Sequence, residues 1–208
     1  MAEETWIRID EAEDVAGSLR HVLHAAALIN ADSQAWKWVV LALHSALQGA
    51  CVCHLTTTAA PVGAVTERNA SEWLTYFEAS RNDSGALAPK THLMALPDLL
   101  KAVRKPRSAG DLSNDAGIAL ADAELAWLTR LHDTVRNQFV HLAPMGWSIE
   151  VSGMSAVAAL VARIVGDIAG AGWAFRHQER PWRVALAGDL AALSLPDWPT
   201  AGGTREKP

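Results

Sequence analysis

The chain has 208 residues, 50% of them hydrophobic and 20% charged, and 18 Lys and Arg stand against 23 Asp and Glu for a formal charge of −5. That balance describes one globular domain with a sizeable core, and it weighs against broad, non-specific binding to nucleic acid, which is driven by Lys and Arg neutralising phosphates. Two cysteines, Cys51 and Cys53, provide no disulfide framework and suggest a reducing, cytoplasmic setting.

Ala, Leu and Val dominate the apolar residues, with one Tyr and three Phe, so helices are favoured over sheet. The nine Trp residues are dispersed and read as anchors of a core and its grooves. The acidic start Met-Ala-Glu-Glu-Thr lacks the basic-then-apolar pattern of a signal peptide.

A first helix is expected from Asp10, which has capping-box spacing to Glu13, to about Asn30, with Val15, Leu19, Val22, Leu23 and Ala26 on one face. A second runs from about Gln34 to Leu55. It is long enough to span a membrane, but Lys37, His44, Ser45, Gln48 and His54 interrupt it, which fits a buried central helix and no membrane partner. The short link makes the two an antiparallel hairpin.

Between Thr56 and Gly117 the pattern weakens, with short helices expected over Ser71 to Ser80 and over Leu96 to Arg104, the latter opening on Pro97. The basic residues Lys101, Arg104, Lys105 and Arg107 form either a solvated linker or a phosphate-contacting patch, and they are the substrate-binding candidates.

A third long helix is expected from Asp122 to about Leu142, ended by Pro144. An extended segment follows, with Trp147, Ile149 and Val151 on one side and Ser148 and Glu150 on the other. A fourth long helix spans about Ser155 to Trp173, with an Arg163–Asp167 pair, and a last helix opens at Pro181 and ends before Pro196. The domain is expected to cover 1–199, and the polar tail 200–208 to be disordered.

Cys51, Cys53 and His54 cannot converge on one ion from a helix whose neighbouring residues diverge by about 100°, so buried thiols are expected and no metal or other cofactor is called for. His21 and His24, three apart, need be no more than exposed polar residues. The chain contains no Gly-rich phosphate loop, nucleophile elbow or His-Glu zinc motif.

What remains is Arg136 and His141, a phosphate-binding cation and a side chain that titrates near neutrality, close to a helix end. Five residues apart, they are rotated by about 140° and separated by about 7.5 Å along the axis of an ideal helix. Spacing alone allows a purely structural role, with Arg136 paired to Asp133 or Glu150 and His141 capping the helix.

The run Arg136-Asn137-Gln138-Phe139-Val140-His141 resembles the signature of the HEPN family (higher eukaryotes and prokaryotes nucleotide-binding domains). There an Arg followed by a polar residue, often Asn, precedes a His by a short spacer near a helix end. The resemblance implies an all-α, HEPN-like bundle of four to five main helices with short helices in the middle segment. It implies a homodimer whose two motifs meet in a cleft, and a metal-independent endoribonuclease. His141 would act as general acid or base, Arg136 would stabilise charge on the phosphoryl oxygens, and Asn137 would orient one of them, giving a 2′,3′-cyclic phosphate and a 5′-hydroxyl. The alternative it implies is a non-catalytic helical dimer that binds nucleotides or proteins as a regulatory module, including a nucleotidyltransferase-like partner as in some toxin–antitoxin pairs.

Overall fold

The computed structural model describes residues 6, 7, 9–141, 146 and 148–195, and these form an all-helical fold. Pro144, Trp147, Pro196, Trp198 and the 200–208 tail lie outside the described residues.

Helix α1 spans Glu11–Leu28 and starts where the sequence places it, with the Asp10 carboxylate accepting from the Glu13 backbone N–H at 2.9 Å. Helix α2 spans Ala35–Leu55. Gly49 near the end of α2 lies against Val15 near the start of α1, while His21 meets Trp38 at the other end, so the hairpin is antiparallel. A Cβ at Gly49 would come within 2.8 Å of Val15 Cγ2, which shows how closely the two helices approach. His21, His24 and Trp38 are solvent-exposed at the hairpin's tip.

Helix α2 is the centre of the bundle. It packs against α1, against α4 (Leu96–Val103), against α7 (Met154–Gly170) and against a π-helical segment (Leu131–Arg136). By length and composition it could cross a membrane, yet 67% of its apolar window is buried by protein. Val39, Val40, Leu43, Ala46, Leu47, Ala50 and Cys51 are fully or almost fully enclosed, so its hydrophobicity is satisfied within the fold. Helix α8 (Arg180–Leu193) closes the bundle against α1 and α7.

Helix α3 (Glu67–Ser80) begins four residues before the expected Ser71, because its first turn is polar and gives no apolar rhythm to read. It buries little besides Asn69, whose side chain donates to the Lys90 carbonyl and accepts from the His92 N–H. Helix α4 carries Pro97 in its first turn, as expected. Helix α7 starts at Met154 and ends at Gly170, with Arg163 paired to Asp167 at 3.0 Å and also to Glu124 of α5 (Asp122–Arg130) at 2.9 Å. Ile149 and Val151 are half-buried while Ser148 and Glu150 are exposed, the alternation read from the sequence.

Gly110 shows why the middle segment must be threaded as it is. Its N–H donates to the His54 carbonyl at the end of α2, and a Cβ there would stand 2.0 Å from the Thr56 carbonyl oxygen and 2.5 Å from Trp173 Nε1. Trp173 Nε1 itself donates to that Thr56 carbonyl, so the α2 terminus is capped from two sides. Gly110→Ala is expected to destabilise the protein by about 1–3 kcal/mol, as overpacking does, read as a lowered denaturation midpoint at constant m-value.

Candidate active site

The helix that carries the Arg-Asn motif is not a plain α-helix. After α5 it continues as a π-helical segment over Leu131–Arg136 and returns to α geometry in α6 (Asn137–Val140). This departs from the uninterrupted helix expected from Asp122 to about Leu142: apolar periodicity does not distinguish a locally widened turn. Such π-turns cluster at functional sites, because they re-aim the side chains that follow.

Arg136 lies on the wall of a cavity of about 600 Å³ between the motif helix, α2 and the start of α1. From α2 the wall receives Leu41, His44, Ser45, Gln48 and Val52, one stripe at helical spacing; from the α1 end it receives Asp10, Glu11 and Asp14. Arg136 Nη1 donates to Asn137 Oδ1 at 2.9 Å, and Asn137 Nδ2 donates to the Asp133 carbonyl at 3.2 Å. Among the described residues no carboxylate reaches ion-pair distance of Arg136, so the pairing with Asp133 or Glu150 allowed by the sequence is replaced by an amide brace. The guanidinium keeps its charge and most of its donors for something else.

His141 ends the helix with φ −109° and ψ 78°, its N–H bonded to the Asn137 carbonyl, and it is exposed and not part of the cavity wall. Arg136 and Asn137 are therefore brought together, while His141 of the same chain stands apart from them. Lys101 pairs with Asp98 at 2.9 Å and Arg104 with Asp122 at 2.8 Å, and Lys105 and Arg107 are exposed; none of the four lines the cavity.

Sequence reading missed His44 and His132, because they are 88 residues apart and no local pattern links them. His44 Nε2 and His132 Nδ1 share a hydrogen bond of 2.8 Å, with the rings nearly stacked at 5.0 Å between centroids. The available signal was on α2, where His44, Ser45 and Gln48 form a polar stripe in a mostly apolar helix. Ser45 donates to the Asp14 carboxylate at 3.1 Å, which fixes that part of the wall.

Burial, then the neighbouring His132 and Arg136, pull the His44 pKa from the ordinary 6.5 to about 4, so its ring is neutral at physiological pH. His54, fully buried, is likewise pulled to about 4 by burial, against the opposing pull of the Asp111 carboxylate. Ser108 Oγ gives its proton to the Val103 carbonyl and so accepts from His54 Nε2, which makes that serine a structural link and not a nucleophile.

In the unfolded chain both rings take up a proton as pH falls through about 6.5, whereas in the folded chain they resist until about 4. The unfolded state thus binds more protons in that window, and stability falls as pH falls across it, by up to about 1.4 kcal/mol per pH unit for each ring. Thermal melts at about pH 7 and about pH 4.5 are expected to show this loss, and His54→Gln to reduce its slope.

Burial raises the Cys51 and Cys53 thiols to about 12, helped by the neighbouring Cys53 at Cys51 and by Glu11 and Asp10 at Cys53, so both stay protonated; Cys51 is buried as expected, while Cys53 is only half-buried.

Compared with known proteins, the chain matches no family model, no curated protein and no solved structure. What the site can do therefore follows from its own geometry. A half-buried, amide-braced guanidinium near the neutral His44 ring, which is hydrogen-bonded to His132, is suited to holding an anionic oxygen and moving a proton near it.

Proposed function

We propose that the chain is a metal-independent endoribonuclease acting as a homodimer, in which the 2′-hydroxyl of RNA attacks the adjacent phosphorus. The observation that carries this reading is the placement of Arg136: on a cavity wall, braced by Asn137, and without a carboxylate partner among the described residues. Such a group binds the phosphoryl oxygens and gains interaction energy as charge builds on them in the transition state. Asn137 acts as the positioning residue for Arg136, a more indirect role than contact with the phosphate.

Because His141 does not share the wall with Arg136 of its own chain, the reading assigns His141 to the cavity of a second copy, across a two-fold axis. The HEPN resemblance of the Arg136 to His141 run supports the same arrangement. The second reading is a non-catalytic dimer that binds a nucleotide or a partner protein, and the carboxylates of Asp10, Glu11 and Asp14 on the cavity wall, together with the −5 charge, favour the partner protein within it.

Cleavage of labelled single-stranded RNA in EDTA separates them. The first reading expects a 2′,3′-cyclic phosphate product from wild type and none from His141→Ala, with mixed Arg136→Ala and His141→Ala dimers regaining activity. A stable dimer that cuts no RNA across diverse sequences leaves the second.

A further inference from the structure

We propose that His44 is a catalytic residue of the Arg136 cavity, taking the proton of the RNA 2′-hydroxyl, and that His132 is the positioning residue that holds its ring. The proposal rests on the ribonuclease reading and names a base that the Arg136 to His141 motif does not contain.

Three observations converge on it. His44 lines the same cavity as Arg136, although only 6% of its surface is exposed. Its Nε2 is engaged by His132 Nδ1 at 2.8 Å, while its Nδ1 has no hydrogen-bond partner among the described residues. And His132 Nε2 faces the Asp133 carboxylate at 3.9 Å.

The last contact is longer than a hydrogen bond and biases the tautomers through charge. A carboxylate on that side favours the proton on His132 Nε2, so His132 Nδ1 carries a lone pair and accepts from His44 Nε2–H. His44 Nδ1 is then left with a lone pair, the form a general base needs. His132 thus orients His44 through the hydrogen bond, and the nearby Asp133 carboxylate favours the positive charge that His44 would gain. Burial and the Arg136 charge keep His44 unprotonated before reaction. A bound phosphate offsets the Arg136 charge and makes the ring more basic when substrate is present.

In the step itself, the 2′-oxygen forms its bond to phosphorus as its proton passes to His44 Nδ1. The bond from phosphorus to the 5′-oxygen breaks, and that oxygen takes a proton from the imidazolium of His141 on the second copy. His44 then returns a proton to water and His141 takes one up, so nothing is oxidised or consumed.

The test is single-turnover cleavage of RNA in EDTA by full-length wild type, His44→Gln, His132→Asn and His132→Leu. Binding of the same strand with 2′-O-methyl groups, which has no proton to give, is measured alongside. His44→Gln is expected to slow cleavage by about 100-fold or more while leaving affinity for the methylated strand unchanged. His132→Leu is expected to slow it by about tenfold, and His132→Asn, which returns a hydrogen-bonding oxygen near the position of Nδ1, to recover most of the loss. In wild type the His44 imidazole NMR signal is expected to move when the methylated strand binds. Wild-type rates in His44→Gln, or a His132→Leu variant more active than His132→Asn, overturn the proposal and leave the ribonuclease reading standing. A His44 signal that does not move overturns it even where a variant fails to fold. No cleavage by wild type overturns both.

Discussion

Arg136→Ala is expected to lower the rate of RNA cleavage by about 100- to 1000-fold, the size seen when a single donor to a developing oxyanion is removed. The side chain contributes little to the fold: it is half-exposed, its hydrogen bond is to the adjacent Asn137, and among the described residues it closes no ion pair. The melting curve of the variant should therefore overlay that of wild type, which separates lost chemistry from lost structure. Arg136→Lys keeps the charge but not the planar fork that can engage both Asn137 and a phosphate, and should recover only part of the rate. Removing the guanidinium also removes one of the causes that hold the His44 pKa near 4, so an NMR titration should find that pKa raised in Arg136→Ala. An unchanged cleavage rate in Arg136→Ala would end the ribonuclease reading of this cavity.

What the sequence made legible depended on how local the determinant was. The start of α1 was readable because one side chain, Asp10, caps a backbone N–H three residues on. The span of α2 was readable because apolar residues recur throughout it with no Gly-Pro break, and the Arg163–Asp167 pair because it lies about one turn apart. The π-helical turn was not, since Leu128, Leu131, Val135 and Phe139 keep a helical rhythm with or without it. The site was half legible. Arg136 and Asn137 are adjacent and announce themselves, whereas His44 reaches His132 only through the packing of α2 against the motif helix. In the sequence His44 lies seven residues from Cys51, on one side of an ideal helix. Folded, the two diverge in environment: Cys51 is wholly in the core and His44 is at the cavity.

The polar stripe of α2 can be held at the cavity only because the remainder of that helix is locked in place, and Leu43→Ala tests that directly. Leu43 is fully enclosed, as is Leu47 one turn on, at the contact of α2 with its neighbours. Truncating either removes four carbons' worth of packing less one and leaves a cavity that close-packed helices fill only partly, at a cost of about 2–5 kcal/mol. For a chain of this size each kcal/mol lowers Tm by about 2–4 °C, so a fall of about 4–20 °C is expected. An exposed control, Arg68→Ala, removes an i,i+4 contact to Glu72 from a side chain that is 92% exposed, and should leave Tm nearly unchanged. Leu43 is adjacent to His44 yet does not line the cavity, so its loss should act on the folded fraction and not on the chemistry. Well below the lowered Tm, cleavage per folded molecule by Leu43→Ala should match wild type. A disproportionate loss of rate there would mean instead that the core on one side of α2 sets the orientation of His44 on the other, with His132 alone insufficient to hold it.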